Sequence, residues 1–210
     1  MLMPNDKSLK ELIELLKHSR SPKRRSAARR LRKLKNAQAG EALLAALKKE
    51  VQDPRTWETQ YQMIMALGEC GCRDALPYLY ELSSWKFDAT MIYMALGDAI
   101  VRLARESEED PKPILKIMKS KNEMLIDGAF RAVAMLHLKL DPKAVRKIID
   151  YASNLGVNNP RRFWVVAAAA GWNGEHVKDF LESSGESRSD FVRDAAGASL
   201  EKRYQKYNPL

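Results

Sequence analysis

One spacing constrains this chain more than any other feature: residues that open helices recur at intervals of 30 to 37 residues. Each opening starts an apolar segment of helical length with a 3.6-residue period, and a similar segment precedes it. The openings lie near Ser21, Asp53, Asp88, Asn122, Asn159 and Ser189, with gaps of 32, 35, 34, 37 and 30 residues. Such a near-regular period is typical of helical hairpins that bury their apolar faces by stacking on one another. The spacing therefore predicts about six stacked hairpins.

The junction between two helices is clearest at residues 66–82. Ala66-Leu67-Gly68 closes one apolar helix, and Ala75-Leu76-Pro77 opens the next after a short turn. Glycine suits the left-handed position at a helix end, and proline suits the first turn of a helix. Related segments occur elsewhere as Arg25-x-Ala27-Ala28, Ala95-Leu96-Gly97 and Val192-Arg193-x-Ala195-Ala196.

These segments resemble the short bacterial HEAT-like repeat, of the type also found in phycobilisome lyases. The resemblance is clearest over residues 20–105 and 185–201, and it is weaker in the fourth and fifth hairpins. It implies an all-α fold with armadillo-like architecture: an α-α superhelix, namely a right-handed solenoid of about six HEAT-like helical hairpins. We expect residues 1–210 to form a single repeat domain, with a basic N-terminal repeat at about 8–36 and a C-terminal capping repeat at about 174–207.

The positive charge of the chain is concentrated in one place. Ten basic residues lie between Lys17 and Lys35, and this stretch contains no Asp or Glu. Subtracting these ten from the net charge of +9 leaves −1 for the rest of the chain. The pattern indicates one basic helical hairpin and not a uniformly basic surface.

The second helix of that hairpin predicts a basic stripe. Its apolar residues run from Ala27 to Leu34 with helical spacing, and we expect them to face the core. The residues expected on the opposite face are Arg25, Arg29, Arg32 and Lys33. Because second helices line the concave side of HEAT-like solenoids, the resemblance places the stripe at the N-terminal end of a groove. Like charges at this spacing repel one another, which favours an anionic partner; a solvated capping face is the alternative.

A second candidate groove lies in the fifth hairpin. Arg161, Arg162 and Trp164 precede the alanine-rich run from Val165 to Ala170. An alanine-rich helix beside tryptophan forms either a groove or a close helix crossing. Both interpretations stay open at this point.

The two cysteines, Cys70 and Cys72, lie in the junction at residues 66–82. A closed zinc site needs four ligands, and neither a second cysteine pair nor a nearby histidine is present in the sequence. We interpret the cysteines as small residues that fill a tight turn, and we predict no metal site.

Motifs of common catalytic sites are missing from the sequence. It has no nucleophile–histidine–acid set, phosphate-binding glycine loop or HExxH pattern. DNA glycosylases that act on alkylated purines share the HEAT-like fold and bind the lesion with Trp, Asp and Arg. Trp85, Asp88, Arg161 and Trp164 resemble those residues only loosely and without matching motif spacing. We therefore expect no enzymatic activity and no cofactor.

These features together predict a non-catalytic protein-binding scaffold or adaptor. Its concave face, led by the basic stripe, would bind an acidic protein or peptide. The alternative is a nucleic-acid backbone binder, including a DNA repair protein of the alkylpurine glycosylase type. No apolar run reaches the roughly 18 to 20 residues that span a bilayer, and the N-terminal segment lacks a signal-peptide core. We therefore expect a cytoplasmic protein with no membrane partner, and the oligomeric state stays open.

Overall fold

The computed structural model describes residues 4–205, with side chains from Ser8 onward. Within this range the chain forms twelve α-helices, several of them entered through a single 3-10 turn, and no strand. The helices are α1 (Pro4–Leu15), α2 (Ser21–Leu34), α3 (Gly40–Glu50), α4 (Trp57–Glu69), α5 (Leu76–Ser83), α6 (Met91–Ala104), α7 (Lys112–Ile117), α8 (Glu123–Leu136), α9 (Pro142–Asn154), α10 (Phe163–Ala168), α11 (Glu175–Gly185) and α12 (Asp190–Leu200).

The chain divides into two compact units. The first comprises Met1–Ala104 with Ser120–Ala129, and the second comprises Arg105–Lys119 with Phe130–Leu210. In the first unit the second helices of three hairpins, α2, α4 and α6, lie side by side, and each packs on its own first helix, α1, α3 or α5. In the second unit α12 packs on both α10 and α11, and α9 contacts α10 and α11.

Small residues set the distances between the second helices. A Cβ atom added to Gly68 of α4 would lie 2.8 Å from the Cα atom of Ala99 in α6. A Cβ atom on Gly97 of α6 would overlap the carbonyl oxygen of Leu125 in α8. The backbones therefore approach one another at positions that only glycine fits, which explains the Ala-Leu-Gly segments of the sequence.

The predicted all-α fold of stacked helical hairpins is confirmed for the described residues. The right-handed twist and the single domain over residues 1–210 stay predictions. The end of the predicted capping repeat, at residues 206–207, lies outside the described residues. Within the described part, none of the helices has the length and apolar character that crossing a bilayer requires. The cytoplasmic location likewise stays a prediction.

Candidate interaction surface

Helix α2 carries most of the local positive charge, and its ends are well defined. Pro22 occupies the first turn, and Lys35 ends the helix with a left-handed φ of 51°. The backbone N–H of Lys35 donates to the carbonyl oxygen of Leu31. Ala27, Ala28 and Leu31 are fully buried and anchor the helix in the core.

Arg24 is a structural residue of this hairpin. Its Nε donates to Oε2 of Glu50 at 2.5 Å, and its Nη2 donates to Oε1 of the same carboxylate at 2.8 Å. Its Nη1 donates to the carbonyl oxygens of His18 and Ser19 in the α1–α2 turn. Ser21 also donates to the Glu50 carboxylate. The last residue of α3 therefore holds the α1–α2 turn in place.

Two residues of the predicted basic stripe also pair with carboxylates. Arg25 forms an ion pair with Glu58 at the start of α4. Arg32 is only 3% exposed, and its Nε lies 2.8 Å from a carboxylate oxygen of Glu69 at the end of α4. The prediction that Arg32 faces away from the core is wrong. The prediction assumed that α2 is covered on one side only, whereas α4 packs against a second side and buries Arg32.

A second buried ion pair lies in the neighbouring helix α6. Arg102 of α6 pairs with Asp98 one turn earlier, Nε to Oδ1 at 2.5 Å, and Asp98 is fully buried. Burial lowers the pKa of Arg102, but the charges of Asp98 and Glu69 outweigh it and leave the pKa above its ordinary value. Glu69 thus pairs with Arg32 and also stabilises the charge of Arg102, so charged groups of α2, α4 and α6 interact.

Four cations of α2 remain on its exposed side. Lys23, Arg29, Arg30 and Lys33 are exposed, and none of them forms an ion pair with a side chain of residues 8–205. We call this set the exposed basic face. Leu34, at the C-terminal end of the same helix, is 38% exposed.

The neighbouring second helix offers no open groove beside this face. In α4, every residue from Thr59 to Gly68 is buried. The accessible surface here therefore consists of the solvent side of α2 and the few exposed residues at the ends of α4.

The residues of the second candidate groove make separate contacts. Arg161 is half-buried and its backbone N–H donates to the side chain of Asn159. Arg162 is 3% exposed, and its Nη2 donates to Oγ of Ser184 at 3.0 Å. Trp164 is half-buried, with the guanidinium of Arg131 5.5 Å from its ring centre. Arg162 is therefore buried, whereas Arg161 and Trp164 are half-buried.

Cys70 and Cys72 are buried, and neither forms a disulfide. The Cys70 thiol donates to the carbonyl oxygen of Leu31 at 3.5 Å. A Cβ atom on Gly40 would lie 2.7 Å from Sγ of Cys72, so this sulfur fills the space beside α3. Both cysteines pack the turn between α4 and α5.

Comparisons with known proteins give one family match. The sequence model of the family described as PBS lyase HEAT-like repeat matches residues 23–49, which run from α2 to the end of α3. No curated protein matches the sequence. Among solved structures, human deoxyhypusine hydroxylase in complex with glycerol is similar to this chain. The two share 13% identity and a TM-score of 0.44, and the similarity covers 92% of this chain and 83% of the human protein.

The similarity to a hydroxylase overturns the prediction that this chain is not an enzyme. That prediction rested on the absence of short catalytic motifs. In a repeat protein, catalytic side chains can come from several separate helices and leave no local motif. The similarity is too distant to assign any reaction to this chain.

The matched residues cover one repeat, and the helices on either side of it form hairpins of the same kind. The second helices stack through small residues, as the junction sequences predicted. Residues 23–49 therefore match a HEAT-like repeat, and this repeat lies within a chain of similar stacked helical hairpins.

Proposed function

We propose that this protein is a binding scaffold whose exposed basic face on α2 binds an acidic segment of a partner protein or a peptide. The proposal rests on a difference between two groups of cations in this hairpin: one group pairs with carboxylates and the other does not. Arg24, Arg25 and Arg32 have carboxylate partners in α3 or α4. The exposed basic face has none within the described residues.

The exposed basic face is unfavourable for the isolated helix. Arg29 and Lys33 are four residues apart and Arg30 and Lys33 are three apart, so both pairs repel one another by a few tenths of a kcal/mol. A bound carboxylate would remove this repulsion and add charge-assisted hydrogen bonds. It would also approach faster because of long-range electrostatic steering.

An acidic peptide fits this face better than a nucleic-acid backbone. From Lys23 to Lys33 the helix extends about 15 Å, given a rise of roughly 1.5 Å per residue. Only a few phosphates could be neutralised along this length, and the charge outside the 17–35 stretch is close to balanced. Leu34 adds an apolar contact at the end of the face, which suits a segment that mixes carboxylates with apolar side chains.

Charge reversal at two positions tests the proposal. We expect the double variant Arg29→Glu/Lys33→Glu to bind a fluorescent peptide of alternating Glu and Leu at least about tenfold more weakly than the wild-type protein, since two favourable charge contacts become repulsive. Fluorescence anisotropy at low and high salt measures the affinity, and the wild-type affinity should fall as salt rises.

The matched control is Lys143→Glu/Lys147→Glu, which changes the net charge equally at exposed positions of α9. This control should retain most of the affinity. Equal binding by the wild-type protein and the Arg29/Lys33 variant would show that the face is only a solvated cap. Tighter binding of single- or double-stranded DNA than of the peptide, at about 50 mM salt, would favour the nucleic-acid alternative instead.

A further inference from the structure

A buried arginine in the second unit lacks a counter-ion. Arg162 is the last residue of the 3-10 turn Pro160–Arg162, which the side chain of Asn159 caps. Among the side chains of residues 8–205 its guanidinium has one hydrogen-bond acceptor, Oγ of Ser184, and no carboxylate partner. Its Nε is buried and has no acceptor. Burial of the guanidinium also lowers its pKa.

This guanidinium lies at the wall of a cavity between α9 and α11. The cavity has a volume of about 450 Å³, within the range of small-molecule sites. Phe180 forms an apolar part of the wall, and the Arg162 guanidinium lies 4.8 Å from the centre of its ring. His176 also lines the cavity, and its Nε2 is buried without a hydrogen-bond partner. The residues that carry these two unpartnered nitrogens, Arg162 and His176, therefore line the same cavity.

Two carboxylates line the same cavity. Asp150 of α9 and Asp179 of α11 are both exposed at its rim. The buried cation of Arg162 would attract an anion, whereas these carboxylates would repel a doubly charged one such as phosphate. They would attract a cationic amine. The cavity thus offers one subsite for a negative group and one for a positive group.

We propose that this cavity binds a small zwitterion of the α-amino acid class. The ligand's carboxylate accepts hydrogen bonds from the Arg162 guanidinium, with His176 beside it, and its ammonium group lies towards Asp150 and Asp179. The site is independent of the exposed basic face, which belongs to the other unit.

Calorimetric titration of the full chain tests this site, after a thermal-shift survey of the twenty L-amino acids. At least one of them should bind, and acetate, methylammonium and inorganic phosphate should each bind at least about tenfold more weakly, because each engages one subsite only. Arg162→Gln should abolish binding of the best amino acid. Asp179→Asn, at an exposed position that folding tolerates, should weaken it several-fold and leave acetate binding unchanged.

Arg161→Gln is the matched control, since Arg161 is the adjacent arginine and does not line the cavity. It should bind the amino acid as the wild-type protein does. Three results would overturn the proposal: no amino acid binds, or phosphate or acetate binds as tightly as the best amino acid, or Asp150→Asn and Asp179→Asn both leave its affinity unchanged. The last result keeps the proposal falsifiable even if Arg162→Gln fails to fold.

Discussion

Replacement of Gly97 by alanine is expected to destabilise the protein by more than about 3 kcal/mol. The added methyl group would overlap the carbonyl oxygen of Leu125 and lie 2.9 Å from the amide nitrogen of Ala129. Both atoms belong to the backbone of α8, so no side-chain rotation relieves the overlap. Helices α6 and α8 would have to separate, and the buried contacts around them would be lost. Urea denaturation followed by circular dichroism measures the change in the free energy of unfolding.

Gly197→Ala is the matched control for this prediction. Gly197 lies in the middle of α12, is exposed, and has no atom within 4 Å of an added Cβ among the described residues. Alanine there should stabilise the helix by roughly 0.5 to 1 kcal/mol, because glycine loses more conformational entropy on folding. If the Gly97 variant were as stable as the wild-type protein, the close crossing of α6 and α8 would be contradicted.

Replacement of Glu50 by glutamine should destabilise the protein by about 2 to 3 kcal/mol. Glu50 is 4% exposed and accepts hydrogen bonds from Arg24 and Ser21. The amide of glutamine carries no charge and turns a donor towards the Arg24 guanidinium. The measurement is again urea denaturation at neutral pH. Glu41→Gln, at an exposed position of the same helix, should change the free energy of unfolding by less than about 0.5 kcal/mol.

The Glu50 contacts also predict a dependence on pH. Burial raises the pKa of Glu50, but hydrogen bonds from Arg24, Ser21 and Thr56 and the charge of Arg24 outweigh it, and the net pKa lies below the ordinary 4.5. A carboxyl group with a lowered folded-state pKa stabilises the fold fully above its ordinary pKa, and this contribution is lost as pH falls through the folded-state value. The stability gap between the wild-type protein and Glu50→Gln should therefore narrow below about pH 4.5. A gap that stays constant down to pH 2 would contradict the ion pair.

The sequence was sufficient to predict the fold class because each hairpin repeats the same local pattern. Apolar residues at helical spacing and Gly or Pro at the junctions act over a few residues, and stacking follows from the exposed apolar faces. Glycines at the crossings, such as Gly68 and Gly97, also left a signal as Ala-Leu-Gly segments. Burial of α4 along most of its length was harder to foresee, because it depends on several neighbouring helices together.

The candidate surface was predicted less well, because its charges are paired over long sequence separations. Arg24 lies 26 residues before Glu50, and Arg32 lies 37 residues before Glu69. Neither separation follows a helical period within one element, so the spacing of residues within α2 alone could not identify these partners. The predicted stripe also grouped Arg32 with Arg29 and left out Lys23 and Arg30, which the structure exposes. The absence of Asp and Glu between Lys17 and Lys35 was therefore a poor guide to which cations of α2 have carboxylate partners.

Arginine thus has two roles in this hairpin, and the proposed function depends on separating them. Arg24 and Arg32 hold neighbouring helices together, and their loss should mainly lower stability. Arg29 and Lys33 contact no carboxylate in the described part of the chain, and their loss should mainly lower affinity for an acidic partner. A variant that unfolds the protein therefore says nothing about recognition, and only the second pair tests it.

The most direct test is a quantitative pull-down from cells of the organism that encodes the protein. The wild-type chain, Arg29→Glu/Lys33→Glu and the control Lys143→Glu/Lys147→Glu are compared side by side, with captured proteins measured by mass spectrometry. We predict that the wild-type chain and the control retain the same acidic protein and that the Arg29/Lys33 variant loses it while remaining folded. Equal recovery of that protein by all three chains would contradict a partner-binding role for the exposed basic face.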